Sequence, residues 1–448
     1  MIKYQLTLAF LFSVSFIFAQ KSLISGPMLG YVEHFEALVW AEVSPKVKKA
    51  EIKYWETGKP NTVVTQRYEG VLQKPFNPLK FVLVALKINQ KYDYQLVLDG
   101  KIITTPYATS FITKDLWEYR KPAPDFTFLT GSCAYINDTI YDRPGKSYGS
   151  DYEIYEAMGK TPANFCIWLG DNTYTREVDY SSRYGMSYRY SHSRKLPQMQ
   201  QLLASMSHYA IWDDHDYGPN NANKSFRFKD YSRELFQNYW GNPSCGEKNE
   251  GIYTMQRYGD CEFFMLDDRY FRSDDGMLDS LNGKPNSSKK MFGAQQMEWL
   301  KNNLVTSEAT FKFVCAGSQI LNDVTPYDAF RHFPTEYQEL IDFISEQKIK
   351  GVIFLSGDCH HSIVVKKERL GTYPLYDVVT SAFTSGIYKL SKEEKAKLNY
   401  VKESLVEEHN FARVNISGAK GERKVKFEFV NKEGLVKGEF SVGEKDLK

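Results

Sequence analysis

Four short apolar runs in this 448-residue chain end in residues that can hold a cation or an anion. Phe126-Thr127-Phe128-Leu129 leads into Gly131-Ser132-Cys133. Phe165-Cys166-Ile167-Trp168-Leu169 leads into Gly170-Asp171, with Tyr174 three residues on. Tyr209-Ala210-Ile211-Trp212 leads into Asp213-Asp214-His215-Asp216, and Val352-Ile353-Phe354-Leu355 into Gly357-Asp358-Cys359-His360-His361. Runs of this length read as buried strands, and open α/β sheets keep their ligands just past the carboxyl ends of strands. If the four strands are neighbours, the four ends meet in one cleft, where a carboxylate such as Asp171 can bridge two cations. Taken singly, each has a plainer reading: Asp171 caps a helix, Tyr174 packs beneath it, and His215 is a surface histidine in an acidic turn.

The elements that would position these residues divide into two kinds. From Leu23 to Thr113 the pattern is strands and turns, as in Ala37-Leu38-Val39-Trp40-Ala41 and Tyr92 to Leu98 before Asp99-Gly100. That alternation predicts a small β-sandwich over residues 23–114, without a cluster of His, Cys and acids. Lys114 to Asp125, with two prolines, reads as a linker. From 125 to 448 apolar strands alternate with helical stretches (Tyr152 to Met158, Leu196 to Met206, Ala294 to Leu304, Tyr337 to Gln347), which predicts an α/β domain. The strands of the tail, Ala412 to Val442, are expected at the edge of a second sheet of that domain.

Composition is that of a globular protein, and a net charge of +2 without a long Lys/Arg run leaves no electrostatic footprint for nucleic acid. Residues 1–19 read as a secretory signal peptide: Lys3, an apolar run from Leu6 to Phe18, and a small residue at Ala19. The run is shorter than the ~20 apolar residues a membrane span needs, and no later stretch qualifies. The chain is therefore expected to be exported, to the periplasm, the outer surface or the medium. Export permits disulfides, and of the six cysteines Cys245 and Cys261 form the expected bridge, because they flank a polar, turn-rich segment. Cys166, Cys315 and Cys359 read as small buried hydrophobes.

Gly170-Asp171-x-x-Tyr174, Asp213-Asp214-His215-Asp216-Tyr217-Gly218-Pro219-Asn220 and Gly357-Asp358-x-His360 together resemble the motifs of the alkaline phosphatase D family, within the calcineurin-like metallophosphoesterases. The resemblance covers the whole mature chain. It implies an immunoglobulin-like N-terminal domain before a four-layer αββα catalytic domain. It also implies that Cys133, Asp171, Tyr174 and His360 bind one metal, that Asp171, Asp214 and Asp358 bind its neighbour, and that His215 faces the substrate. Two features depart from the family. No twin-arginine pair is present in the leader, and Ala316-Gly317-Ser318-Gln319 offers no histidine where wider relatives have one.

The residue types agree with these implications. A thiol and a phenol must lose protons to ligate, from reference pKa values of about 8.5 and 10, and a trivalent cation makes that far easier than a divalent one. Fe3+ is thus expected at Cys133 and Tyr174. The carboxylate-rich set suits Ca2+, with Mg2+, Mn2+ or Zn2+ as alternatives. Two cations about 3.5–4 Å apart would hold a bridging hydroxide that attacks phosphorus. His215 would then protonate the leaving oxygen, and Asn220 would position phosphate. The expected activity is hydrolysis of phosphomonoesters, extending to phosphodiesters, on small phosphorylated substrates. The rivals are a phosphodiesterase or phospholipase D-like hydrolase on the same scaffold, and a surface adhesion or glycan-binding protein with structural metals. His332 and His361 read as structural, and Arg269 either braces the sheet or touches substrate.

Overall fold

The computed structural model describes residues 22–448, so the leader-like segment 1–19 lies outside the described residues. The chain forms two compact units. One comprises the residues up to Leu116 together with Tyr190–His208 and Asn238–Gly241, and the other holds the rest.

The first unit is built from β1 (Leu23–Val32), β2 (Ala37–Val43), β3 (Ala50–Glu56), β4 (Val64–Arg67), β5 (Asn77–Leu83), β6 (Lys91–Leu98), β7 (Lys101–Ile102) and β8 (Ser110–Ile112). β1, β2 and β5 pair antiparallel in that order, and β4, β3, β6 and β7 form a separate sheet in which β8 also pairs with β6. In β3 every second residue is buried, the period of two that a one-sided strand requires. Ala50, Ile52 and Tyr54 of β3 thereby join Val39, Ala41, Leu79 and Phe81 of the other sheet in one apolar cluster.

The second unit begins with β9 (Phe126–Gly131), β10 (Phe165–Leu169) and β11 (Ser207–Ile211). It continues with β12 (Thr254–Tyr258), β13 (Cys261–Met265), the short β14 (Ser280–Leu281) and β15 (Lys284–Pro285), and β16 (Phe311–Cys315). It ends with β17 (Val352–Ser356), β18 (Ser362–Lys367), β19 (Leu375–Val379), β20 (Tyr400–Val406), β21 (Asn410–Ser417), β22 (Lys424–Asn431) and β23 (Val436–Gly443). One sheet runs β23-β22-β21-β9-β10-β11, with β9 and β10 parallel. A seven-stranded sheet runs β12-β13-β16-β17-β19-β18-β20, with a parallel centre from β13 to β19. β10, β16 and β17 are buried along their whole length, as parallel strands covered on both faces must be. The result is a mixed α/β, sheet-rich fold.

The tail corrects one expectation. β21 pairs antiparallel with β9, Val414 opposite Phe128, so the tail extends the sheet that begins the unit rather than edging a second one. The alternation in the tail was readable, but the choice of partner lies in long-range pairing that no local pattern encodes.

Aromatic rings lock the two sheets of this unit together. Phe128 of β9 stacks on Phe165 of β10 at 5.2 Å and meets Phe263 of β13 and Phe313 of β16 edge-on at 5.2 and 5.6 Å. Each such ring contributes roughly 1.5–3 kcal/mol by burial. That packing fixes strand directions, and with them the positions of the strand ends.

Cysteine pairing also differs from expectation. All six cysteines are free thiols; Cys245 sits half-exposed in a loop, while Cys261 is buried at the first position of β13, opposite Phe311 of β16. A residue committed to the core face of a central strand is not available to a loop thiol.

Candidate metal centre

The carboxyl ends of β9, β10, β11 and β17 supply the donors, and close backbone approach explains the glycines that precede two of them. A Cβ on Gly170 would lie 2.7 Å from Cβ of Asp213, and Gly170 has φ +91°. A Cβ on Gly357 would lie 2.7 Å from both the Leu169 carbonyl oxygen and Ser132 Cβ. The donors themselves turn sharply: Cys133, Asp171, Asp358 and His360 are all left-handed, with φ of 61°, 53°, 66° and 58°. Each non-glycine residue held there costs of order 1 kcal/mol, sustained by the packed strands on either side.

Three overlapping groups of donor atoms result, each with its atoms within 4.8 Å of one another: Cys133 with Asp171 and His360; Asp171 with Asp214 and His215; and Asp171 with Asp213 and Asp358. Asp171 is common to all three. Cys133 Sγ lies 3.8 Å from Asp171 Oδ2 and accepts a hydrogen bond from Ser381 Oγ at 3.0 Å. The Tyr174 hydroxyl is 3.4 Å from His360 Nε2, and the Tyr148 hydroxyl is 3.3 Å from the other ring nitrogen, so the imidazole sits between two phenols.

The site residues expected from sequence therefore gather, with two differences. Asp214 and Asp358 each neighbour Asp171 but fall in separate groups, and His215 stands in a donor group of its own with Asp171 and Asp214. The His215 main-chain N–H donates to Asp171 Oδ1 at 3.3 Å and to Asp214 Oδ1 at 2.9 Å, and its ring lies 4.4 Å from the Tyr174 ring. Asn220 is exposed and donates to Asn221 Oδ1.

Burial governs the protonation of the centre. It drives Asp171 well above the usual carboxylate range, and Asp214, Cys133, Asp216 and Asp358 add to the effect. Burial likewise pushes Cys133 up to about 11, with the Asp358 charge assisting, and raises Tyr174 well above its ordinary value. Asp358 is pushed up to about 6 by burial and then by Asp214. Burial opposes charge on Asp214 too, but His215, Arg269 and the main-chain N–H of Asn221 outweigh it, leaving Asp214 the acid that ionises first. Burial lowers His215 despite the adjacent Asp214, which favours its charged form.

This donor set fits cations. Three buried carboxylates in mutual repulsion, a thiol and a phenol require added positive charge to be ionised together. Asp213 Oδ2 and Asp268 Oδ1 are buried without a hydrogen-bond partner. Arg269, fully buried, is pressed against the acids. Its Nε donates to Asp213 Oδ1 at 2.6 Å and its Nη2 to Asp328 Oδ2 at 2.5 Å and Ser318 Oγ at 3.2 Å, so its role is to brace.

Asp213 and Tyr148 were missed in the sequence. For Asp213 a signal existed, since in Asp213-Asp214-His215 either acid could face the cleft. For Tyr148 none did, because it meets His360 from 212 residues away.

Two cavities meet at the centre. One of about 520 Å³ is lined by Asp171, Asp214, Asp358 and His360, with His332 and His361 also in its wall. A second of about 630 Å³ is lined by Tyr135, Tyr174, Tyr180 and Lys146 among others. Tyr148, His215 and Asn220 line both.

The profile of the PhoD-like phosphatase family matches residues 128–439. Over 284 residues the chain is 25% identical to alkaline phosphatase D of Bacillus subtilis (strain 168), covering 53% of this chain and 46% of that protein, so the match spans about half of the relative's length. The solved structure of PhoD is similar with a TM-score of 0.74 at 16% identity, over 96% of this chain and 92% of that one. Purple acid phosphatase PPD1 from yellow lupin (Lupinus luteus) seeds is similar with a TM-score of 0.65 at 10% identity, over 94% of this chain and 74% of that one. At these identities the two structures establish a shared fold.

Proposed function

Because the chain belongs to the PhoD-like phosphatase family, a family of phosphoric ester hydrolases, we propose that it is an exported, metal-dependent phosphatase acting on phosphomonoesters of small molecules. The observation that carries the reading is the sharing of Asp171 by three donor groups, of which Asp171, Asp214, His215, Asp358 and His360 line one cavity. The proposal includes an αββα catalytic region over residues 125–448 and an immunoglobulin-like region over 23–114.

Cys133, Asp171, Tyr174 and His360 would hold Fe3+, whose charge offsets the burial that keeps the thiol and phenol protonated. Asp171, Asp214 and Asp358 would hold Ca2+ or another hard divalent cation, and Asp213 is close enough to join them. Such a pair of cations supplies Lewis acidity at the phosphoryl oxygens and a nucleophile at neutral pH.

The protein's own groups do the rest. His215, oriented through its main-chain bonds to Asp171 and Asp214 and by the Tyr174 ring, stands where both cavities meet and can hold the proton that the leaving oxygen needs. Ser381 Oγ fixes the Cys133 sulfur, and Tyr148 fixes the His360 ring. Arg269 opposes the burial that raises Asp213 and holds its carboxylate in place.

Release of p-nitrophenol from p-nitrophenyl phosphate and bis-p-nitrophenyl phosphate, with and without chelator, tests the reading. Chelator-sensitive turnover with the monoester preferred is the expected result. Preference for the diester would replace the monoester reading, and activity indifferent to metal would remove the centre from the chemistry. Export is tested separately by cell fractionation.

A further inference from the structure

We infer that the second cavity, walled by tyrosines, is the subsite for the leaving group, and that it selects esters of planar aromatic or heteroaromatic alcohols. The inference rests on the phosphatase reading, which places phosphorus over Asp171 and its neighbours. From there His215 is the proton source, and it lines both cavities. The metal-binding cavity already contains the acids, and beyond them its wall carries further carboxylates at Asp275, Asp328 and Glu394. The second cavity contrasts with it in chemistry. Tyr135, Tyr148, Tyr174 and Tyr180 line it, and the first three form a contiguous group with centroids 4.8 Å (Tyr135 to Tyr148) and 5.0 Å (Tyr135 to Tyr174) apart.

Its charges are mostly spent internally. Asp142 accepts from Arg176 Nε and from the Tyr135 hydroxyl, both at 2.8 Å, and Arg143 meets Glu177 at 3.2 Å. Beyond these pairs the cavity presents the exposed ring of Tyr148 and the half-buried ring of Tyr180, with Thr175, Pro219, Asn220 and the exposed Lys146 beside them. Ring faces favour another planar π-system in offset or edge-on geometry. A cavity of about 630 Å³ also has room for a substituent much larger than the phosphate itself.

The test uses non-hydrolysable probes, so that it does not depend on turnover: benzylphosphonate and methylphosphonate, titrated by calorimetry into the metal-loaded protein. The wild type is expected to bind benzylphosphonate about tenfold more tightly than methylphosphonate. Tyr180→Ala should abolish most of that advantage while leaving methylphosphonate affinity within about twofold, because Tyr180 lines the second cavity and not the one that holds the acids. If Tyr180→Ala does not fold, Tyr180→Leu keeps the bulk, removes the ring face and should give the same loss. No benzyl advantage in the wild type, or an advantage that survives both substitutions, overturns the inference and leaves the phosphatase reading standing. Failure of the wild type to bind either phosphonate overturns both.

Discussion

Cys133 Sγ and Asp171 Oδ2, contributed by different strand ends 38 residues apart, lie 3.8 Å from each other. A thiol and a carboxyl so placed, both buried, resist ionisation together until a metal is added. Asp171→Asn removes the charge common to every donor group while its strand, β10, stays in the core. Turnover should be abolished in a protein that melts, without metal, at or above the metal-free wild type. Activity and melting temperature measured on the same preparation check this; wild-type turnover in the variant would sink the shared role of Asp171.

His215→Ala should lower turnover by roughly 10²–10⁴-fold, the range for a positioned general acid. Metal content should stay near that of the wild type, and the loss should shrink for substrates with good leaving groups. The Asp171–Asp214–His215 donor group gives this experiment its second edge, since collapse of metal content on the substitution would make His215 a ligand instead.

Metal removal should destabilise the protein more at pH 8 than at pH 5. Asp358 is pushed up to about 6 in the metal-free fold, while an unfolded aspartate titrates near ~3.9. The native state therefore binds the proton more tightly. The penalty is absent below the unfolded value, grows as pH rises and is complete above the folded one, on the order of 3 kcal/mol from Asp358 alone. Asp171 and Asp213 are shifted in the same direction. Differential scanning fluorimetry with and without chelator at the two pH values checks this; a gap no wider at pH 8 would contradict it.

Arg269→Met should cost about 3–5 kcal/mol, because it leaves Asp213 as a buried acid without its partner, while Asp328 keeps Arg272. Both acids are bonded to the Arg269 guanidinium, and the side chain is fully buried. Arg269→Lys should lie between the two, since a single ammonium cannot reproduce the fork. Urea unfolding measures the difference, and a loss under ~1 kcal/mol would show that the network is not what holds the strand ends together.

The purified protein should be coloured. Phenolate and thiolate bound to Fe3+ absorb in the visible by charge transfer, which Ca2+ and Zn2+ cannot produce. Tyr174→Phe keeps the ring against His215 and should remove the phenolate band, and Cys133→Ser should shift the spectrum and weaken iron retention. A colourless, active protein whose metal analysis shows only divalent ions refutes the iron assignment.

Where the sequence was legible, local physics made it so. Unbroken apolar runs such as Phe165–Leu169 announce strands buried on both faces, and the run of β10 in the structure coincides with it. A glycine before an acid announces a turn too tight for a side chain, as the 2.7 Å limits at Gly170 and Gly357 show. The helices Arg183–Arg194 and Lys229–Tyr239 carry too few apolar residues among polar and charged ones to stand out from the loops around them. Tertiary structure alone decided that β21 pairs with β9, that Cys261 faces the core opposite Phe311, and that Tyr148 meets His360. Those are choices of partner between residues distant in the chain. Periodicity fixes which face a side chain takes along its own element, whereas the identity of what it meets is set by which strands lie side by side, and that is settled only when the whole core packs.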